Sequence, residues 1–193
     1  MSHMIGSLGD GAPESSELWR QRDRPILAYG LMLVAAVSLV LNYFIKFPTL
    51  PDEAVARFRE YCDNRLPLQI ETSDTAVLER HFEAEKAFPV RLLDSATYTL
   101  KGGGLQRMRN RKCSWCAYEG PRNRRFIVQS YPGSIGELPG GAEIRQDRGR
   151  TFYIYTRHGA TAVFWDESNL CCALISDAPG EETIRLAQAS AKS

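Results

Sequence analysis

The chain has 193 residues, 44% of them hydrophobic and 24% charged, with a formal net charge of +1. That length holds one ordinary domain plus an extra segment, which excludes a large multidomain enzyme. Near-neutral charge with both signs interspersed excludes a general attraction to nucleic acid, and 10% aromatic residues exclude a chain too polar to fold.

Met1 to Arg24, rich in Gly, Ser and Glu, reads as a short flexible tail. Pro25 to Ile45 carries no charged residue. About 20 apolar positions at ~1.5 Å rise each span ~30 Å of hydrocarbon, so residues 25–46 are predicted to form one transmembrane helix. Gly30, Ser38 and Asn42 are its candidates for packing against neighbouring helices. Arg20, Arg22 and Arg24 precede the span, whereas Asp52 and Glu53 follow Lys46. The positive-inside bias then leaves residues 1–24 in the cytoplasm of a bacterial cell and residues 47–193 as a periplasmic domain on its inner membrane.

Pro48 and Pro51 end the span, and Asp52 is placed to cap a helix with Val55, Phe58 and Cys62 on one face, running to about Arg65. After Pro67, Leu68-Gln69-Ile70 is a short extended stretch. Ser73-Asp74 opens a second helix with Val77, His81, Ala84 and Phe88 along one stripe, widened by Leu78 and Phe82, and stopping before Pro89. From Tyr98 onward the period becomes that of strands: Tyr98–Leu100, Cys113–Tyr118, Phe126–Tyr131, Thr151–Thr156, Thr161–Trp165 and Leu170–Ser176. The turns between most of them are short enough for antiparallel neighbours, while the longer stretch from Pro132 to Thr151 reads as a surface loop. Asp177 is placed to cap a last helix with Pro179 in its first turn. The expected fold class is α+β: one N-terminal transmembrane helix, then a domain of two helices, an antiparallel sheet and a C-terminal helix.

Cys62, Cys113, Cys116, Cys171 and Cys172 are candidate disulfide or thiol positions. Cys113-Ser114-Trp115-Cys116 has redox spacing, but in a strand, positions three apart point to opposite faces, so structural thiols or one cross-strand bridge are expected. No metal, haem or other cofactor is expected: a four-thiolate zinc site needs tight knuckles, and Ala117 stands where haem attachment needs His. His3, His81 and His158 are scattered over a tail, a helix and a turn, which disfavours a catalytic dyad. Gly102-Gly103-Gly104 lacks the Lys-Ser/Thr of a phosphate loop and reads as a strand bend. Arg107, Arg109, Arg111, Lys112, Arg122, Arg124 and Arg125 flank two turns, a candidate positive edge for a partner or anionic lipid.

Leu100–Leu105, Cys116-Ala117-Tyr118-Glu119, Ala162-Val163-Phe164-Trp165 and Ala173–Asp177 follow one another in an order that resembles the extracytoplasmic domain of bacterial transmembrane anti-sigma factors, over Pro51 to about Ala189. Those regulators hold their sigma factor with a cytoplasmic helical module, often with a zinc-binding His and Cys pattern. Met1 to Arg24 has no Cys and only His3, and is too short to build that module. The resemblance therefore implies an outer domain kept for binding. The expected function is that of a non-enzymatic accessory or scaffold subunit of a membrane protein complex, such as a respiratory or photosynthetic assembly, whose partners are the membrane and other membrane subunits and not nucleic acid. The alternative is an anti-sigma-like sensor or regulator of transcription.

Overall fold

A computed structural model describes residues 29, 32–38, 48–90, 92–93 and 95–191. The chain divides into two units, Met1–Phe47 and Pro48–Ser193.

In the first unit the described residues, 29 and 32–38, are helical, and Tyr29, Met32, Leu33, Val34 and Val37 are exposed. The expected spanning helix over 25–46 is not supported: among the described residues no helix is long and apolar enough to cross a membrane. Ser38 is helical and exposed, while Gly30, Asn42 and the tail 1–24 lie outside the described residues.

The second unit is built on one eight-stranded antiparallel sheet. In chain order its elements are α1 (Leu50–Cys62), β1 (Ile70–Glu71), α2 (Thr75–Ala84), β2 (Thr99–Met108), β3 (Arg111–Glu119), β4 (Arg125–Pro132), β5 (Glu143–Asp147), β6 (Arg150–Arg157), β7 (Ala160–Glu167), β8 (Leu170–Ser176) and α3 (Gly180–Ser190). The strand order is β1-β2-β3-β4-β8-β7-β6-β5. Two up-and-down runs therefore meet where β4 pairs with β8, Val128 opposite Leu174. The hairpin turns explain the direct reversals. Arg109-Asn110, Arg148-Gly149, His158-Gly159 and Ser168-Asn169 all have positive φ at both positions, the backbone that two-residue hairpins need to match strand twist.

Strand alternation gives the sheet two apolar faces, and each is covered. Trp115, Ala117, Ile127, Tyr131, Phe164 and Ala173 pack under α1 through Leu50, Val55 and Phe58. On the other face, Tyr118, Phe126, Val128, Trp165 and Leu174 pack with Leu78 and Phe82 of α2 and Ile184 and Ala187 of α3. The result is three layers, with each buried large side chain contributing about 1.5–3 kcal/mol.

The helix starts differ in detail from those anticipated. Thr49, not Asp52, is the N-cap of α1; Asp52 sits at N3 and accepts from the Thr49 backbone N at 3.1 Å and from Oγ1 at 2.5 Å. Asp74 caps α2 by accepting from Ala76 N at 2.9 Å. Asp177 does not cap α3; it accepts from Arg125 N at 3.2 Å, and Pro179 is the N-cap.

The two sheet edges are unlike. Beside β2, Ile70 and Glu71 pair with Gly103 and Gly102, and the Gln69 side-chain amide donates to Leu105 O at 2.9 Å and accepts from Leu105 N at 2.8 Å, closing that edge as a strand would. The glycine triplet makes this approach possible. Gly102 has φ +138° at a bulge, and a Cβ there would lie 1.9 Å from Ile70 O. At the far edge β5 pairs, among the described residues, only with β6.

Candidate functional site

Thiols are the most reactive groups the chain carries. Cys113 and Cys171 lie on the α1 face, Cys116 and Cys172 on the α2–α3 face, and Cys62 is half-buried at the end of α1. All five are free thiols. Burial pushes Cys113, Cys116 and Cys171 up to about 12 and Cys62 up to about 11, so they are protonated at neutral pH and poor nucleophiles. Tyr131 Oη donates to Cys171 Sγ at 2.9 Å, and Ser130 Oγ lies 3.6 Å from Cys172 Sγ. These contacts tie the thiols into the strand core, and among the described residues no group of His, Cys, Asp and Glu has the arrangement to hold a metal ion.

One prediction follows for the thiols. At pH 7–8 a thiol reagent should label the folded protein slowly and first at Cys62, and label all 5 cysteines only after unfolding. Because folding raises these acids, their share of stability is whole below the ordinary thiol value of 9.0 and is lost as pH climbs toward about 12. Rapid native labelling of three or more thiols would contradict the burial described above.

The seven basic residues do not form one edge. Arg107, Arg109, Arg111 and Lys112 gather at the β2–β3 turn, whereas Arg122, Arg124 and Arg125 lie at the opposite end of β3, about 27 Å away at ~3.4 Å per residue over nine residues. Most have acidic partners: Arg111 bonds Glu137 at 2.5 Å, Lys112 lies 3.8 Å from Glu85, Arg124 pairs with Glu182, and Arg125 lies 3.2 Å from Glu119. Arg109 donates to Pro48 O at 3.5 Å. The sequence proximity that suggested a patch is undone by β3 running between the two turns.

Two of the surface concavities lie on the α2 side. One cleft of about 420 Å³ is lined by Glu79, Val90, Leu92, Glu167, Leu170 and Cys172. A second of about 610 Å³ shares Glu79 and Leu92 and reaches Ser73, Tyr98 and Tyr118. Their polar groups serve the fold: Glu167 accepts from Arg150 at 3.0 Å and from Trp165 Nε1 at 3.2 Å, and Tyr118 Oη accepts from Leu93 N at 2.8 Å. Burial raises the Tyr118 hydroxyl far above the ordinary phenol range. His81 lies on α2 and His158 in the β6–β7 turn, so these two stay on separate elements, and His3 is outside the described residues.

Sequence reasoning missed three polar or exposed positions. Gln129 is wholly buried on the α1 face opposite Trp115, and neither its amide atoms nor Trp115 Nε1 has a hydrogen-bond partner among the described residues. Ile144 is 59% exposed, the one exposed large hydrophobic among the described residues of the 48–191 domain. Gln69 clamps the β2 edge. A Gln inside the apolar run Phe126–Tyr131 is the only one of the three that the sequence marks.

No family model matches the chain, and no curated protein or solved structure matches it, so the likeness to anti-sigma extracytoplasmic domains rests on the motifs quoted above alone.

Proposed function

We propose that this protein is a non-enzymatic accessory or scaffold subunit of a membrane protein complex, in which it binds partner subunits. The observation that carries this reading is the exposed apolar side chains of the helical residues 32–38. Met32, Leu33, Val34 and Val37 are 71%, 68%, 63% and 49% exposed, in a stretch that has no charge from Pro25 to Ile45. Apolar surface of this kind is stable in water only when something covers it, and a neighbouring subunit supplies that cover. The 48–191 domain supports the reading in a second way. Its thiols are held protonated, and most of the candidate basic residues are ion-paired within the fold, which suits a rigid docking body better than a reactive site.

The test is gentle detergent solubilisation of the full chain from its native cells, followed by size analysis and identification of what travels with it. A stoichiometric complex is expected, and Leu33→Arg with Val37→Arg should release the chain without changing the far-UV spectrum of the domain. A wild-type chain that elutes alone, or a complex indifferent to the double substitution, sinks the reading.

A further inference from the structure

The open edge of the sheet is the feature that the proposed function leaves unused. Edge strands present a row of unpaired backbone donors and acceptors, and proteins usually block them. Here one edge is blocked, by β1 and by the Gln69 amide on Leu105, and the other, β5, pairs among the described residues only with β6. The second residue of β5, Ile144, is exposed on that free edge, and its cross-strand neighbour Tyr153 is partly buried against the α1-side core. Glu143 and Arg145 flank it on the opposite sheet face. Arg145 Nε lies 2.7 Å from Glu143, and its guanidinium also reaches Glu181 on α3 at 2.7 and 2.9 Å.

We propose that β5 pairs antiparallel with β5 of a second copy of this chain, centred on Ile144. In that register Ile144 meets Ile144 across the two-fold axis. Each Glu143 lies opposite the Arg145 of the other copy, so both flanking pairs are attractive. The two Tyr153 rings continue the apolar layer on either side. Other registers are worse for stated reasons. Centred on Arg145, arginine would face arginine and Glu143 would face Asp147. Centred on Gln146, Arg145 would face Asp147 but Ile144 would be set against Arg148. Pairing so few residues makes a small interface, so self-association on the order of tens of micromolar is expected rather than an obligate dimer.

Two experiments on the full chain in mild detergent test this. Under mild oxidation Ile144→Cys should form a chain-to-chain disulfide, because Cβ atoms directly opposite lie about 4.5–5.5 Å apart. Gln146→Cys should stay largely unlinked, with the wild type as background for the native thiols. In sedimentation, Glu143→Lys alone and Arg145→Glu alone should each weaken self-association at least tenfold, since each sets like charges opposite one another. Mixing those two variants should restore it, because every flanking position of the mixed pair then meets its opposite charge. A wild type that stays monomeric up to 100 µM, equal linking at both cysteine positions, or a mixture no tighter than its components would overturn the proposal. Self-association that persists in Ile144→Lys would overturn it too.

Discussion

Gly102→Ala is expected to lower the unfolding free energy of the domain by about 4 kcal/mol, from two additive causes each worth roughly 1–3 kcal/mol. The first is conformational: φ at Gly102 is +138°, a region that L side chains rarely adopt. The second is steric: an added Cβ would lie 1.9 Å from Ile70 O and 2.9 Å from Ile70 C, and both are backbone atoms that no side-chain rotation can move. Relief requires β1 to leave the edge of β2, and with it the Gln69 clamp on Leu105. In thermal unfolding a domain of this size should lose about 10 °C. Gly140→Ala is the matched control, since nothing lies within 4 Å of a Cβ there, and it should change stability by no more than about 0.5 kcal/mol. A Gly102→Ala midpoint within 2 °C of wild type would refute the argument.

Phe126→Ala should cost about 3–5 kcal/mol in urea unfolding. Phe126 is fully buried, stacked on Tyr118 with ring centroids 4.6 Å apart and edge-on to Tyr98 at 4.9 Å. Both partners hold other elements in place. Tyr98 Oη donates to Glu182 at 2.7 Å in the first turn of α3, and Tyr118 Oη accepts from Leu93 N at 2.8 Å in the segment after α2. Removing the ring between them leaves a cavity and frees both tyrosines, so the loss should extend beyond the transfer of one side chain. Faster amide exchange at Leu93 in Phe126→Ala, but little change in Phe126→Leu, would separate this coupling from simple loss of apolar area. If exchange at Leu93 is unchanged in both, the ring does not anchor that segment.

The strands that sequence reasoning located were those whose residues are buried on at least one face. Cys113–Tyr118, Phe126–Tyr131, Thr151–Thr156, Thr161–Trp165 and Leu170–Ser176 all lie within β3, β4, β6, β7 and β8, strands with a neighbour on both sides. The periphery was harder. β2 was recognised only at Tyr98–Leu100 because Gly102–Gly104 and the polar run after Leu105 carry no strand pattern. β5 carries no strand signal in the sequence, because an edge strand of alternating charge around one isoleucine looks like solvent-exposed chain. The basic residues misled for the opposite reason: sequence neighbours across β3 are far apart in space when the strand between them is fully extended.

The sequence by itself determined which residues avoid water. Periodicity marked the apolar stripe of α1, and the turn residues marked most reversals, because those preferences are local and act on a few neighbouring residues; on α2, which ends at Ala84, the buried residues are Leu78 and Phe82, while Ala84 is exposed and Phe88 lies past the helix. The same local reading also took the charge-free run Pro25–Ile45 for a membrane span, which no helix among the described residues supports. Only the tertiary structure decided that β8 returns to β4, that one edge is closed by Gln69 and the other left open at Ile144, and that charges close in sequence are paired on opposite ends of the sheet. Each of these depends on contacts between residues dozens of positions apart. No local propensity encodes such pairings, and they are set by burying both faces of one sheet at once.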